Sequence, residues 1–380
     1  MTRLSSLFML LVLTAACNKK STPLAEPVSP PVSRPGDTTF IRGADLSYVN
    51  EMIDCGAVYY DAAGLQTDPY KIFANAGASL VRVRLWHRPD WTNYSHLEDV
   101  KKTIGKAKAL NRKVLLDFHY SDDWADPAHQ TVPAAWSAVV NNPEILGDSI
   151  YNYTYRILDE LHRSQLLPDM VQTGNEINSE ILQDPKKTYN SINWPRNAAL
   201  IRRAIEAVRK FSADKAKPIA IMLHIAQPEN TLWWFEQARQ NGISDYDWIG
   251  FSYYPAWSTY QLQQLPEVVK TLKSNFQKRV MVAETAYPFT QTDIDGANNI
   301  LGANALISGF PATPTGQYEY LKALEKTLKN AGAEGLLYWE PAWVSTNCST
   351  RWGKGSHWDN AVLFDHNYRA LPAMQFFSGK

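Results

Sequence analysis

Residues 113–173 contain a complete strand–helix–strand unit: KVLLDF at 113–118, NNPEILGDSIYNYTYRILDEL at 141–161 and MVQT at 170–173. The two outer segments are short apolar runs, which are typical of buried strands. In the middle segment, apolar residues from Leu146 to Leu161 follow one another at helical spacings of three or four. Asn142-Pro143-Glu144 opens this segment with a capping residue, a proline in the first turn and an early acid. The unit predicts two parallel strands joined by a helix.

The same alternation of apolar runs and amphipathic segments continues along the chain. The other six predicted strands are Phe40–Leu46, Leu80–Leu85, Ile219–Leu223, Trp248–Ser252, Val280–Ala283 and Gly335–Trp339. Eight strands, each followed by a helix, predict an α/β protein in which residues 39–380 form a single (β/α)8 barrel rather than an open sheet. The sequence has no Gly-x-Gly-x-x-Gly motif after a strand and no phosphate loop, so a dinucleotide-binding fold has no support.

The composition excludes two broad classes of protein. With 45% hydrophobic residues among 380, the chain is not intrinsically disordered over most of its length. Lys and Arg together number 38, as do Asp and Glu, and this balance argues against a general nucleic-acid binder. The marked excess is aromatic, with 13 Trp, 19 Tyr and 13 Phe. Many of these residues pack in the core, but so many tryptophans also suggest stacking on sugar rings.

The N-terminus has the pattern of a targeting segment. Arg3 precedes the apolar run Leu7–Leu13, which is too short to span a bilayer, and Thr14-Ala15-Ala16-Cys17 follows it. Residues 1–17 therefore predict a signal peptide, and Cys17 after small residues resembles a bacterial lipoprotein box. In that case Cys17 is lipidated and becomes the mature N-terminus. The alternative is an ordinary signal peptide with an incidental cysteine.

Residues 18–38 contain five prolines among small and charged residues and predict an extended tether. No later stretch is long and apolar enough to cross a membrane, so any membrane contact would be through the lipid anchor. The expected location is that of an exported bacterial lipoprotein in the outer membrane, on a face that the sequence does not specify. The protein is expected to be a monomer.

Two carboxylates stand at ends of predicted strands, where barrel enzymes carry their catalytic residues. Glu176 follows the fourth strand and Glu284 follows the seventh, so they lie on opposite sides of an eight-stranded ring. Glycoside hydrolysis needs such a pair, one carboxyl protonated to assist the leaving oxygen and the other ionised to attack the anomeric carbon. Each glutamate alone could form a structural salt bridge. Together, in an aromatic rim, they indicate a glycosidase.

The motifs at the strand ends resemble glycoside hydrolase family 53, the arabinogalactan endo-β-1,4-galactanases, within the clan of retaining barrel glycosidases. The matching stretches are Gly43-Ala44-Asp45, Val81-Arg82-Val83-Arg84-Leu85-Trp86, Asp117-Phe118-His119-Tyr120-Ser121, Trp124-Ala125-Asp126-Pro127, Gly174-Asn175-Glu176, Ser252-Tyr253-Tyr254-Pro255 and Glu284. The resemblance runs from about residue 40 to the C-terminus. It implies retaining, endo-acting hydrolysis of β-1,4-galactan or arabinogalactan.

The resemblance also implies roles for individual residues. Glu176 would be the acid/base and Glu284 the nucleophile, while Asn175 would hold a substrate hydroxyl. Arg84 would hydrogen-bond Glu284 and keep it ionised, since a nearby cation favours the charged form. Trp339 would form the platform under the sugar at the cleavage point. Further substrate contacts implied in this way are Asp45, His119, Trp124, Asp126, His224, Tyr254, Trp257 and Trp343.

A calcium site is predicted on the loops after the seventh and eighth strands. Asp293, Asp295 and Asn299 supply oxygens at alternating positions, with Ala297 offering a backbone carbonyl, and alternating oxygens are typical of calcium loops. Ser356 and Asp359 offer two more oxygens. Some members of the resembled family bind Ca²⁺ with this layout. The alternative is an Asx-rich turn that holds no ion. No organic cofactor is expected.

Apart from Cys17, the sequence contains Cys55 and Cys348. They follow the first and eighth strands, which become neighbours when a barrel closes, and an exported protein meets oxidising conditions. A disulfide is therefore possible if their Cα atoms lie within ~7 Å.

Two other functions remain open at this stage. One is a related clan enzyme that cuts mannan, xylan or another glycan, because the shape of the cleft rather than the glutamate pair selects the sugar. The other is a lipid-anchored glycan-binding protein without activity, which the presence of both glutamates disfavours. The length of the products and the tolerance of arabinose branches also stay open.

Overall fold

Eight parallel strands close into a barrel in the computed structural model, which describes residues 39–351 and 353–379. The strands are β1 Ile41–Asp45, β2 Leu80–Leu85, β3 Lys113–Phe118, β4 Met170–Thr173, β5 Ala220–Ala226, β6 Trp248–Ser252, β7 Arg279–Thr285 and β8 Gly335–Tyr338. Each strand pairs with the next, and β8 pairs with β1 to complete the ring. The predicted barrel is confirmed.

Helices follow the strands and cover the outside of the barrel. They are α1 Val49–Asp54, α2 Pro69–Ala76, α3 Leu97–Ala109, α4 Pro143–Arg163, α5 Trp194–Lys215, α6 Pro228–Gln240, α7 Leu265–Phe276 and α8 Pro314–Ala331. The prediction of a helix after every strand is wrong for β8. A short 3₁₀ helix, Pro372–Ser378, takes that place and packs against α8 and α2.

Helix α4 shows how the sequence determines an element. The Asn142 side chain accepts hydrogen bonds from the backbone N–H groups of Glu144 and Ile145, both at 3.2 Å, which satisfies two of the free donors at the helix start. Leu146, Ile150, Tyr153, Ile157 and Leu161 are all buried. The face predicted from spacing is therefore the face that packs on the barrel.

Strands β5 and β7 extend further than their apolar runs suggested. The pairing of β5 with β6 continues through Ala226, and Ser252 of β6 pairs with Glu284 of β7. His224 and Glu284 consequently lie inside strands rather than after them. The backbone ladder does not depend on the polarity of an inward-facing side chain, so a polar residue did not mark the end of the strand.

The interior of the barrel has an apolar floor with a polar layer above it. The floor is formed by buried side chains from seven strands: Leu80, Leu115, Met170, Met222, Trp248, Met281, Ala283 and Leu337. Two positions further along four of these strands, buried Arg82, Asp117, Gln172 and His224 occupy the next layer. Strand side chains alternate with a period of two, so both layers face inward. The polar layer is the base of the candidate site.

The loop after β8 is tied to the start of the barrel. It contains the two-stranded hairpin β9 Ser349–Thr350 and β10 Gly353–Lys354. Cys348 forms a disulfide with Cys55, and their Cα atoms lie 5.6 Å apart. The disulfide that the sequence left possible is therefore present, and it joins the loops after strands β1 and β8.

The predicted signal peptide (1–17), Cys17 and the tether (18–38) lie outside the described residues. Within residues 39–351 and 353–379, none of the helices combines the length and apolar content needed to cross a membrane.

Candidate active site

A cavity of about 850 Å³ opens at the C-terminal ends of the barrel strands. Twelve residues predicted for the site line it: Asp45, Arg84, His119, Trp124, Asp126, Asn175, Glu176, Tyr254, Trp257, Glu284, Trp339 and Trp343. His224 does not. Lining residues that the sequence reasoning did not assign include Tyr48, Arg82, Asn178, Gln227, Asn230, His357 and Trp358. Both glutamates therefore face one cavity with a polar base and aromatic walls.

Glu284 is held between a cation and a phenol. Its Oε1 lies 2.7 Å from Arg82 Nη1, and its Oε2 accepts a hydrogen bond from the Tyr254 hydroxyl at 3.0 Å. Arg82 is fully buried and also binds Asp45 at 2.7 Å and Asp117 at 2.8 Å. The predicted bond from Arg84 to Glu284 is thus wrong, because Arg82 fills that role.

Arg84 instead supports the aromatic wall of the cavity. Its Nη1 lies 2.9 Å from Glu340 Oε1. Its guanidinium lies over the rings of Tyr48, Trp86 and Trp124, at 4.5, 4.8 and 4.3 Å from their centroids. Arg82 and Arg84 both face inward because they are two residues apart on β2, and the sequence pattern could not show which of them reaches Glu284.

Glu176 sits in a turn that breaks away from β4. Gly174 has a φ of 98° and Glu176 has a φ of 44°, and a left-handed backbone is uncommon for a residue with a side chain. Glu176 Oε1 lies 2.5 Å from the hydroxyl of Ser252 on β6. The bend therefore sends the carboxyl across towards β6, where its close partner is neutral.

His224 supports the site from behind the cavity wall. The residue is fully buried. Its Nε2 lies 2.9 Å from Ser252 Oγ, and its Nδ1 lies 3.0 Å from both Asn175 Oδ1 and Gln172 Nε2. Burial, with Arg82 nearby, lowers the pKa of His224 well below its usual range, so the ring is neutral. The predicted substrate contact is therefore corrected to a contact with Ser252 and Asn175.

Asn175 and His119 line the cavity, but most of their hydrogen-bonding atoms are already bonded to other protein groups. Asn175 Oδ1 accepts from Arg82 at 2.8 Å, and its Nδ2 donates to the carbonyl of Ala125 at 2.7 Å. His119 Nε2 lies 3.1 Å from Asp117, and its Nδ1 accepts from the Ala125 N–H at 3.0 Å. The second N–H of the Asn175 amide remains for a ligand, whereas both ring nitrogens of His119 are occupied.

The two carboxyl groups differ in proton affinity. Burial, together with the nearby charge of Glu284, raises the pKa of Glu176 to about 8. Burial also raises the pKa of Glu284, to about 7, but Arg82 opposes that rise. The pair therefore loses its first proton from Glu284, while Glu176 keeps its own to higher pH. This is the division of roles that a retaining glycosidase requires.

Aromatic side chains form the walls above the carboxylates. Trp339 packs edge-on against Trp358, with ring centroids 4.6 Å apart, and lies 5.9 Å from Trp124. Trp343 stacks on Tyr48 at 4.0 Å. Trp257 is 48% exposed, so part of its side chain is accessible to a ligand. Sugar rings, with apolar faces and polar edges, suit such walls.

Comparison with known proteins agrees with this geometry. The profile of the family described as Glycosyl hydrolase family 53 matches residues 41–377. The chain belongs to glycosyl hydrolase family 53. The resemblance seen in the sequence motifs is confirmed, and the protein is a glycoside hydrolase.

Several relatives show how this family 53 chain compares. It is 53% identical over 344 residues to an arabinogalactan endo-beta-1,4-galactanase of Cellvibrio japonicus, covering 90% of this chain and 91% of the relative. The catalytic domain of a family 53 protein from Ignisphaera aggregans superposes with a TM-score of 0.82 and 34% identity, covering 90% and 97% of the two chains. A fungal beta-1,4-galactanase structure gives a TM-score of 0.75 and 28% identity, covering 89% and 98%.

The residues predicted to bind calcium lie together in this family 53 chain. Asn299 Nδ2 donates to Asp293 at 2.5 Å and to Asp359 at 2.8 Å, which links the loops after β7 and β8. Asp295 accepts from the Ser356 N–H at 2.7 Å. Over the part of the chain that the structure describes, no group of three or more His, Cys, Asp or Glu side chains is arranged to hold a metal ion.

Proposed function

We propose that the protein is an endo-acting β-1,4-galactanase that hydrolyses galactan and arabinogalactan with retention of configuration. The observation that carries this proposal is the unlike pair, Glu176 with a neutral partner and Glu284 with Arg82, facing one aromatic-lined cavity. Membership of family 53 and the name of the Cellvibrio japonicus relative support the substrate.

In the first step, ionised Glu284 attacks the anomeric carbon as the glycosidic C–O bond breaks. Protonated Glu176 gives its proton to the departing oxygen, so the leaving half of the chain departs as an alcohol. In the second step, Glu176 takes a proton from water, and that water attacks the same carbon and releases Glu284. Two inversions at one carbon give net retention, and the proton returns to Glu176 for the next cycle.

Ser252 and His224 would carry the hydrogen bonds through this proton cycle. The Ser252 hydroxyl has one proton and lies between two partners, so it donates to one of them at a time. When Glu176 is protonated, it donates to Ser252, Ser252 donates to His224 Nε2, and His224 Nδ1–H donates to Asn175. When Glu176 is ionised, Ser252 donates to Glu176, and the neutral ring takes its other tautomer and accepts from Gln172. The distances between these atoms permit both arrangements.

Incubation with unbranched β-1,4-galactan, with sizing of the products, tests the proposed activity. We expect oligosaccharides of intermediate length to appear before galactose, and proton NMR of early products to show the β-anomer. Mannan and xylan should remain intact. Hydrolysis of mannan or xylan without galactan would favour the related clan enzymes, and binding without hydrolysis of any of the three would favour a glycan-binding protein.

Hydrolysis by two carboxyl groups needs no organic cofactor. We further propose that Ca²⁺ strengthens the link between the loops after β7 and β8. Asp359 Oδ2 is buried without a hydrogen bond, and burial together with the nearby Asp295 and Asp293 raises the pKa of Asp359 to about 6. Carboxylate and carbonyl oxygens are the donors that calcium prefers. The ion would be held by oxygens of Asp293, Asp295, Ala297, Asn299, Ser356 and Asp359.

Thermal unfolding with and without a chelator tests this calcium site. If Ca²⁺ binds the folded chain, EDTA should lower the melting temperature, and added Ca²⁺ should restore it more effectively than Mg²⁺. The same series on Asp359→Asn, which keeps the shape and removes the charge, should show a smaller response. A melting temperature that is the same with EDTA and with millimolar Ca²⁺ would rule out the site.

We also propose that the enzyme is exported as a bacterial lipoprotein, monomeric and anchored by Cys17 in the outer membrane. The order of basic start, apolar run, small residues and cysteine supports this, as does the proline-rich segment 18–38. Cys17→Ser should move the protein from the membrane fraction to the soluble fraction. A variant that still sediments with membranes would contradict the anchor.

A further inference from the structure

Two tryptophans outside the cavity meet at the surface between α5 and α6. Trp194 is the first residue of α5, and Trp233 lies in the second turn of α6. Their rings meet edge to face with centroids 6.2 Å apart. Trp233 is 56% exposed, more than any other tryptophan in the described part of the chain. We call these two residues the α5–α6 aromatic patch.

The patch is held in place from below. Trp194 is partly buried and lies 5.6 Å from Trp234, which is fully buried. Arg196, two residues after Trp194 on α5, is paired with Glu180 at 2.9 Å and donates to backbone carbonyls, so its charge is already paired.

On α6, Glu236 is paired with Arg239 at 2.7 Å, and Glu229 accepts hydrogen bonds from Ser258 and Thr259. The α5–α6 aromatic patch therefore lies beside charged groups that already have partners. Two indoles in contact at the surface form a contiguous apolar area, and areas of this kind, unlike single exposed residues, are typical of binding sites.

The patch begins where the cavity wall ends. Asn230 lines the cavity and precedes Trp233 by three residues on α6, so the two side chains share one flank of the helix, about 5 Å apart along its axis. Asn178, from the loop before α5, also lines the cavity, and its Nδ2 donates to the carbonyl of Ala226 at 2.9 Å. A ligand that extends past these two asparagines reaches Trp233 next.

The direction of the substrate leads to the same place. Trp339 follows β8 and Glu176 follows β4, which lie across the barrel from each other. The sugar that is attacked rests near Trp339, and the leaving oxygen faces Glu176. In the proposed function, the leaving half of the chain, which carries the reducing end, therefore runs out on the side of Glu176, over the ends of β4 to β6. Helix α6 begins at Pro228, directly after β5, and α5 begins at Trp194, at the end of the loop 174–193 that follows β4.

From this continuity we propose that the α5–α6 aromatic patch is a distal binding site for the reducing-end part of a long, neutral β-1,4-galactan chain. The inference rests on the proposed function, since it takes galactan as the substrate. The apolar face of a galactose ring would stack on the exposed indole of Trp233, with Trp194 bracing that ring from the side. Only chains longer than the cavity would use this site.

Kinetics on substrates of two lengths test the site. Trp233→Ala should raise KM for long galactan about 2- to 10-fold, the loss expected for one aromatic contact. It should leave kcat on long galactan, and both constants on a trisaccharide, unchanged. Trp233→Phe should recover most of the loss. Leu232→Ala is the matched control, because Leu232 is the adjacent residue and is 42% exposed but cannot stack on a sugar.

Four outcomes would overturn the inference. An unchanged KM of Trp233→Ala for long galactan, in an enzyme that cleaves galactan, would remove the distal site and leave the proposed function intact. An equal rise of KM in Leu232→Ala would show that the effect does not come from stacking on an aromatic ring. A Trp233→Ala variant that changes the oligomeric state would identify the patch as a protein-binding surface. If the parent enzyme does not act on galactan at all, the proposed function fails and this inference fails with it.

Discussion

Glu176 and Glu284 share one cavity and one residue type, but the protein treats them differently. Glu284 has a buried guanidinium at 2.7 Å and a phenol at 3.0 Å, both of which favour the carboxylate. Glu176 has a serine hydroxyl at 2.5 Å, which can donate or accept and therefore suits either protonation state. The comparison shows that partners, rather than residue type, assign acid and nucleophile.

Glu176 and Glu284 also differ in the backbone that carries them. Glu284 belongs to β7 and is fixed by the ladder with Ser252 of β6. Glu176 stands in a left-handed turn after β4. The nucleophile must be aimed at one carbon, which suits a strand. The acid/base must serve the leaving oxygen and then a water molecule, and the turn carries its carboxyl to Ser252 and His224, which can rearrange their protons.

The largest expected effect comes from removing the nucleophile. Glu284→Gln should lower kcat by at least about 10⁴-fold, because no carboxylate remains to form the covalent intermediate. Binding of galactan to the variant should be close to normal, since the change conserves shape. Turnover by stopped-flow and binding by calorimetry check both parts. Substantial residual turnover would mean that another group attacks the sugar.

Removing the acid should cost less, and the cost should depend on the leaving group. Glu176→Gln should lower kcat on galactan by about 10²–10⁴-fold, the usual contribution of a general acid. On an aryl galactobioside whose phenolate leaves without a proton, the first step should stay fast and give a burst of released phenol. Glu284→Gln should show no burst on the same substrate. If Glu176→Gln also shows no burst, the proposed difference between the two residues is wrong.

Arg82 and Arg84 provide a matched pair on the same strand. Arg82→Lys should lower kcat/KM about 10²–10³-fold. It should also move the acidic limb of the pH profile upward, because Arg82 holds the pKa of Glu284 down. Arg84→Lys should leave that limb in place, since Arg84 pairs with Glu340. Melting temperatures of both variants serve as the folding control. A shift of the limb in Arg84→Lys would restore the pairing suggested by the sequence.

Ser252→Ala should have the smallest effect on rate and a specific effect on pH dependence. Ser252 can bond both forms of Glu176, but its bond to the charged carboxylate is the stronger, so loss of Ser252 should raise the pKa of Glu176 further. Activity needs Glu176 protonated and falls as pH rises through its pKa, so the alkaline limb should move to higher pH. Ser258→Ala is the control, because Ser258 bonds Glu229 instead. If the alkaline limb does not move, Ser252 does not influence the pKa of Glu176.

The sequence predicted the barrel and the glutamate pair because both depend on local patterns. Short apolar runs predicted the strands, helical spacings predicted the helices, and the ends of the predicted strands pointed to Glu176 and Glu284. The prediction extended the strand–helix alternation to the eighth strand and was wrong there. The segment after β8 contains the short 3₁₀ helix Pro372–Ser378 instead of an α-helix.

Contacts between side chains from different strands were harder to predict. Arg82 and Arg84 have the same inward orientation, and only the three-dimensional structure shows that Arg82 reaches Glu284 while Arg84 reaches Glu340. His224 stands on the inward face as expected, but Ser252 and Asn175 lie between it and the cavity. Ser252 also lies inside the barrel, and an inward-facing serine at the end of a strand was the available signal for it.

The most direct test of the account is to titrate the two carboxyl groups separately in the resting enzyme. Carbon-13 NMR of glutamate side-chain carboxyls would follow them, with Glu176→Gln and Glu284→Gln to assign the signals. We expect Glu284 to ionise first, near pH 7, and Glu176 to hold its proton to about pH 8. If Glu176 ionises first and Glu284 keeps the proton, the roles assigned to the two glutamates are reversed and the account is wrong.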